Sequence, residues 1–192
     1  MANRLNRRDF LGLSAAGLGL LTLSGGAGAA ERKALVAYAS RCGSTADIAR
    51  AIADDLNQRG FAVTMQSVAK AGRVAGYDAV VLGSAVRYGH WLPEAVDFVR
   101  AHASELKRVP TAFFTVHMMN TGQEEASRKA RLGYLEPVHA IMRPNAEIFF
   151  AGRMDMSRLS FTERLLCKVM KGHDADLRDW AAIHAWGRTV LS

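Results

Sequence analysis

The sequence predicts an α/β domain: a doubly wound, five-stranded parallel sheet of order 2-1-3-4-5 with helices on both faces. Three observations lead there. From residue 33 to the carboxyl terminus, apolar runs of strand length alternate with stretches of helical periodicity, the pattern of a parallel sheet covered by helices. The run Ala79 to Gly83 is continuously apolar rather than alternating, as a strand buried on both faces is. A short polar loop, Ser40-Arg41-Cys42-Gly43-Ser44-Thr45, directly follows the first apolar run, and sheets of this order bind ligands at the carboxyl ends of strands 1, 3 and 4.

Each element has its own signal. The first strand is Ala34 to Ala39. From Thr45 to Arg59 the residues Ile48, Ala49, Ile52, Ala53 and Leu56 fall at helical spacing, and Gly60 closes that helix. Phe61 to Val68 reads as the second strand, Ala69 to Tyr77 as a loop, Ala79 to Gly83 as the third strand and Ser84 to Leu92 as a loop. Pro93 opens a helix, where a missing N–H does no harm, with Val96, Val99, Ala103 and Leu106 on one face. Thr111 to Val116 is the fourth strand and 117 to 123 a polar loop. Glu124 to Met142 holds a weaker helical pattern that ends before Pro144, and Ile148 to Gly152 is the fifth strand. A last helix is expected over Asp174 to Leu191. It turns Leu177, Trp180, Ala181 and Leu191 to the sheet, keeps Ile183 and Val190 at the margin, and has His184 interrupting the stripe.

Arg153 to His173 is too long for an ordinary connection and reads as an insertion. Phe161, Leu165, Leu166, Val169 and Met170 share one side of a helix, and Arg164, Lys168 and Lys171 the other; the segment has a net charge of +3. Such a helix over 158 to 171 suits an anionic membrane surface or an acidic ligand, or it packs its apolar side on the domain and leaves a solvated basic face.

At 192 residues and 49% hydrophobic, the chain can bury one real core. Residues 1 to 29 stand apart from it. Arg7-Arg8-Asp9-Phe10-Leu11 precedes a moderately apolar stretch from Leu11 to Leu23 and the small-residue pattern Ala27-Gly28-Ala29, so a twin-arginine-type export signal is expected. It would place the mature protein in the periplasm or peripherally on the membrane; a retained leader would instead hold it at the cytoplasmic face. The formal charge is +7, and +5 without the leader. A basic protein can meet nucleic acid, anionic lipid or an acidic small molecule, but no nucleic-acid-binding signature is present, which removes the first. Cys42 and Cys167 match no metal or redox spacing.

The loop from Ser40 to Thr45 reads as a phosphate cradle. A strand that turns through Gly43 into a helix leaves the first helical N–H groups unpaired and converging, Ser40, Ser44 and Thr45 add hydroxyls, and the helix dipole favours an anion. The lysine of nucleoside-triphosphate loops and the three glycines of dinucleotide loops are absent, which leaves a single phosphomonoester. An ordinary strand-to-helix turn capped by Ser and Thr fits the same residues.

This loop resembles that of the flavodoxin superfamily, matching at Ser40, Gly43, Ser44 and Thr45, and Gly83-Ser84-Ala85-Val86-Arg87-Tyr88-Gly89-His90 is similar to the corresponding run of the quinone-linked protoporphyrinogen IX dehydrogenases. Ala112-Phe113-Phe114-Thr115-Val116, Arg143-Pro144, Ala151-Gly152-Arg153 and the insertion also resemble that group, whose loop usually has an acid where Cys42 stands. The resemblance implies flavin mononucleotide (FMN), held through Ser40, Arg41, Cys42, Gly43, Ser44 and Thr45 at its phosphate. At its ring it implies Ser84, Val86, Arg87, Tyr88, Gly89 and Trp91, then His117, Met118, Asn120 and Gly122. Tyr88 and Trp91 are expected to cover the ring, with backbone groups at its pyrimidine edge. The implied reaction oxidises the tetrapyrrole protoporphyrinogen IX and passes electrons to a membrane quinone, with Arg87 and His90 as candidates for propionate pairing and proton uptake. An exported electron carrier or quinone reductase is the redox alternative, although carriers of this superfamily are usually acidic. A non-enzymatic binding module is the other. A phosphatase or response regulator of this architecture needs a carboxylate at the end of strand 1, and Tyr38 to Cys42 contains none.

Overall fold

The computed structural model describes residues 31–158 and 174–192; the leader over 1–29, Cys167 and the insertion from 159 to 173 lie outside the described residues. Five strands form the parallel sheet: β1 (Arg32–Ala39), β2 (Phe61–Ser67), β3 (Ala79–Arg87), β5 (Thr111–His117) and β6 (Ala146–Ala151). Their order is β2-β1-β3-β5-β6, which is 2-1-3-4-5 when these long strands are counted, and each neighbouring pair is parallel. The side-chain period of a strand divides β1 between two cores. Ala34 and Val36 face α1 (Ser44–Gln58) and the last helix, α5 (Trp180–Gly187), while Leu35, Ala37 and Ala39 face α2 (Pro93–Leu106) and α4 (Glu136–His139). Among the described residues no helix is long and apolar enough to cross a membrane.

The structure corrects the expected boundaries in three places. The stretch from Ser84 to Leu92 is not a simple loop. β3 runs on to Arg87, turns through Tyr88 and Gly89, and returns as β4 (His90–Trp91), with Val86 opposite Trp91 and Arg87 opposite His90. Both turn residues have positive φ, 52° and 77°, as a two-residue type I′ connection requires. The helix expected over 124 to 142 is two, α3 (Glu125–Gly133) and α4, because Pro137 has no N–H to give the carbonyl of Gly133. The last helix begins only at Trp180, since 175–176 form β8, which pairs antiparallel with β7 (Arg153–Met154) and closes the base of the insertion. Its buried face is therefore Ile183 with Gly187, followed by Val190, whereas Leu177 and Trp180 are 47% and 37% exposed and Ala181 is exposed. His184 explains the broken stripe: its Nδ1 lies 2.8 Å from the carboxylate of buried Asp55 on α1.

Candidate functional site

Three loops meet the carboxyl ends of β1, β3 and β5. In the first, Gly43 is the N-cap of α1 with φ 90°, ψ −19°, a conformation that glycine takes without steric cost. The Ser40 hydroxyl accepts from Gly43 N at 3.1 Å and shapes the turn. No side chain caps α1, so the alternative of a turn capped by Ser and Thr does not form and the leading amides stay available. Ser44 is held: its hydroxyl accepts from Arg153 N at 2.8 Å. That bond ties the loop to the end of β6. Thr45 is buried, Cys42 partly buried. Arg41 reaches across to Glu94 in the first turn of α2, at 3.1 Å.

The second loop is the β3–β4 hairpin. Tyr88, at its tip, is 76% exposed, with the Arg87 guanidinium 5.0 Å over its ring; a Cβ built on Gly89 meets nothing within 4 Å. An aromatic face and an open glycine stand here as expected. The expected cover by Trp91 does not form. Trp91 is only 2% exposed, its indole N–H donates to Thr115 Oγ1 at 2.8 Å and its ring lies 5.0 Å from that of Phe113, so it belongs to the core and covers no ligand from this position. The antiparallel return puts Trp91 on the inner side of the hairpin. Ser84 is also buried; its hydroxyl accepts from Leu92 N at 3.0 Å and donates to Ala85 O at 2.9 Å, bracing the hairpin. Val86 is partly buried opposite Trp91, and His90 is exposed.

The third loop, 117 to 122, is pinned through its carbonyls. His117 is buried between Tyr134 and Phe149, and its Nδ1 donates to Met119 O at 2.6 Å. Burial above all, with a smaller push from the Arg131 charge, holds its pKa below the usual histidine value against the bond to Met119. Neutral and enclosed, it braces the loop. Asn120 turns the chain with φ 57° and donates its side-chain amide to the Tyr134 hydroxyl at 2.6 Å. Arg131 Nη1 donates to Asn120 O at 2.5 Å and to Gly122 O at 2.7 Å. Met118 lies beneath Gly152, its Sδ 3.5 Å from where a Cβ would stand.

Sequence reasoning missed Arg131, Tyr134, Glu94 and the use of Arg153. One signal existed: Arg131 falls four residues after Ser127 and three before Tyr134, on the buried face of α3. Arg153 stood in the run Ala151-Gly152-Arg153, which gave no sign of its reach to α1. It shares Asp47 with Arg178, at 3.5 and 2.9 Å, and its Nε is buried without a partner. Arg178 also holds Asp176, whose pKa falls to about 2 through that hydrogen bond.

A flavin phosphomonoester fits this frame: a left-handed glycine opens an uncapped helix, and an exposed aromatic ring stands on the neighbouring hairpin. A curated protoporphyrinogen IX dehydrogenase (quinone) of Escherichia coli (strain K12) is 26% identical over 171 residues, covering 82% of this chain and 94% of that one. One of the same name from Leishmania major is 29% identical over 170 residues, covering 79% and 71%. Of the solved structures, a flavodoxin of Streptococcus pneumonia TIGR4 is 13% identical with a TM-score of 0.49, covering 82% of this chain and 97% of that one. The family model described as the flavodoxin domain matches residues 35–179. Because that match runs from the first strand to the residue before the last helix, the chain belongs to the flavodoxin-domain family.

Proposed function

We propose that this flavodoxin-like oxidoreductase binds FMN, oxidises protoporphyrinogen IX to protoporphyrin IX and delivers the electrons to a membrane quinone. The observation that supports it most is the hairpin tip: Arg87 over an exposed Tyr88 presents a cation and a flat apolar face together, which suits a large, flat molecule edged with carboxylates. The printed names of the relatives point the same way. When bound, FMN would supply a two-electron acceptor, used three times for each protoporphyrinogen IX because oxidation to protoporphyrin IX removes six electrons and six protons, with the quinone taking the electrons each time.

In this reading the N–H groups at the start of α1 would hold the phosphate and Tyr88 would flank the flavin ring. Arg87 pairs with propionates, joined by Arg41 if it leaves Glu94 and by basic residues of the insertion. His90, exposed beside them, takes up a proton. The 158 to 171 segment meets the anionic membrane surface. Export through the leader belongs to the same proposal, and replacing Arg7→Lys and Arg8→Lys together should retain the protein in the cytoplasm on fractionation.

The direct test is the visible spectrum of the protein purified with FMN, followed by anaerobic protoporphyrinogen IX. Bleaching of the flavin bands together with porphyrin fluorescence above the autoxidation control is expected. Bound flavin that is not reduced would transfer the function to an electron carrier or quinone reductase, and no bound flavin would leave a binding module.

A further inference from the structure

Arg131 is only 9% exposed, and among the described residues no carboxylate forms an ion pair with it; its recorded hydrogen bonds go to two backbone carbonyls. Glu124, held below the usual carboxylate range by Ser127 first and by the Arg131 charge only after it, accepts from the Ser127 hydroxyl instead. A buried cation with no carboxylate in direct contact keeps part of its field to be completed by something electron-rich nearby.

The carbonyls show where that completion lies. All described peptide bonds are trans, and in a trans peptide the N–H points opposite to the C=O before it. Arg131 draws the carbonyls of Asn120 and Gly122 toward itself, so the N–H groups of Thr121 and Gln123 point away from the guanidinium. His117 and Tyr134 draw on the Met119 carbonyl, the latter at 3.4 Å, which turns the Asn120 N–H away from them. None of these three amides has an acceptor among the described residues. The loop is thus a set of ready donors backed by a fixed positive charge.

We propose that Arg131 raises the reduction potential of the bound flavin: by aiming these donors and placing its charge behind them, it favours the reduced, more electron-rich ring over the oxidised one. The inference rests on the FMN reading and on this loop lying at the pyrimidine edge. Arg131 acts through the loop and is a positioning residue. A purely structural brace would affect both redox states of the ligand equally and leave the potential where it was.

The test is the two-electron midpoint of the FMN-loaded full chain, by anaerobic dye-equilibrated titration, beside the dissociation constant for oxidised FMN. Arg131→Gln should lower affinity for reduced FMN about tenfold more than for oxidised FMN, a midpoint about 30 mV lower. Arg131→Lys, which keeps the charge, should fall between it and the wild type. Glu124→Gln, at an exposed position that leaves the core intact, should raise the midpoint by removing an acid beside the loop. If Arg131→Gln weakens both redox states equally, or Glu124→Gln leaves the midpoint unmoved, the role of Arg131 is overturned and the FMN reading stands. A wild-type chain that holds no FMN overturns both.

Discussion

Replacing Trp91 with phenylalanine separates a core residue from one that faces a ligand. The indole N–H bonds Thr115 Oγ1 at 2.8 Å, and the ring packs 5.0 Å from Phe113 at an interplanar angle of 54°. Phenylalanine keeps much of the stack but leaves the buried Thr115 hydroxyl without its donor. Losing a hydrogen bond to a buried group costs about 1–2 kcal/mol, and the smaller ring adds about 1 kcal/mol for the space it leaves. At roughly 2–4 °C per kcal/mol for a domain of this size, the melting temperature should fall by roughly 5–10 °C. The assay is a thermal melt by far-UV circular dichroism without flavin, paired with FMN titration well below the transition. The dissociation constant should change less than about threefold, under 1 kcal/mol. An unchanged melt with FMN affinity reduced tenfold or more would show that Trp91 faces the ligand and that its burial was misread.

Three further outcomes follow from the same geometry. Gly43→Val places a branched side chain at φ 90°, a strain of about 1–3 kcal/mol, and should weaken FMN binding at least tenfold; undiminished flavin retention would remove the phosphate-loop assignment. Gly187→Ala would put a Cβ 2.5 Å from Asp55 Oδ2 and 2.9 Å from Asp55 Cβ, where His184 holds that acid in place. The overlap, about 1–3 kcal/mol, outweighs the helix propensity gained, about 1 kcal/mol, so the melting temperature should fall with FMN affinity unaltered. His117 has a folded-state pKa depressed below 6.5: the unfolded chain binds the proton more readily, so this contribution to stability is full above that value and shrinks as pH falls below it. Urea midpoints between pH 8 and 5 should decline less steeply in His117→Asn than in the wild type, and equal slopes would contradict the assignment.

The shape of the β1–α1 loop, expected to cradle a phosphate, was legible in sequence because its signal is local. A strand, one glycine and a helix start within six residues, and Gly43 is where the chain must turn with positive φ. Tyr88 came from the resemblance of the run Gly83 to His90, and the structure places it exposed at the hairpin tip. Trp91 was misassigned because aromatic content near a loop does not reveal which side of a hairpin a residue occupies, and the hairpin itself depends on a tyrosine adopting φ 52°, which is uncommon. Ser84 and Trp91 bond to Leu92 and Thr115, partners 8 and 24 positions away, that no periodicity announces.

By itself the sequence determined the alternation of strands and helices and the loops at the strand ends, because residue period, glycine placement and helix starts are properties of neighbouring residues; the order 2-1-3-4-5 came with the fold class, and the strand pairing bears it out. Tertiary structure alone decided which face the last helix buries, that 153–154 pair with 175–176, and that Arg131 stands behind the third loop holding two of its carbonyls, with no ion pair among the described residues. Each depends on groups far apart in the chain meeting in one packed arrangement, where close approach and burial, rather than local preference, choose the partner.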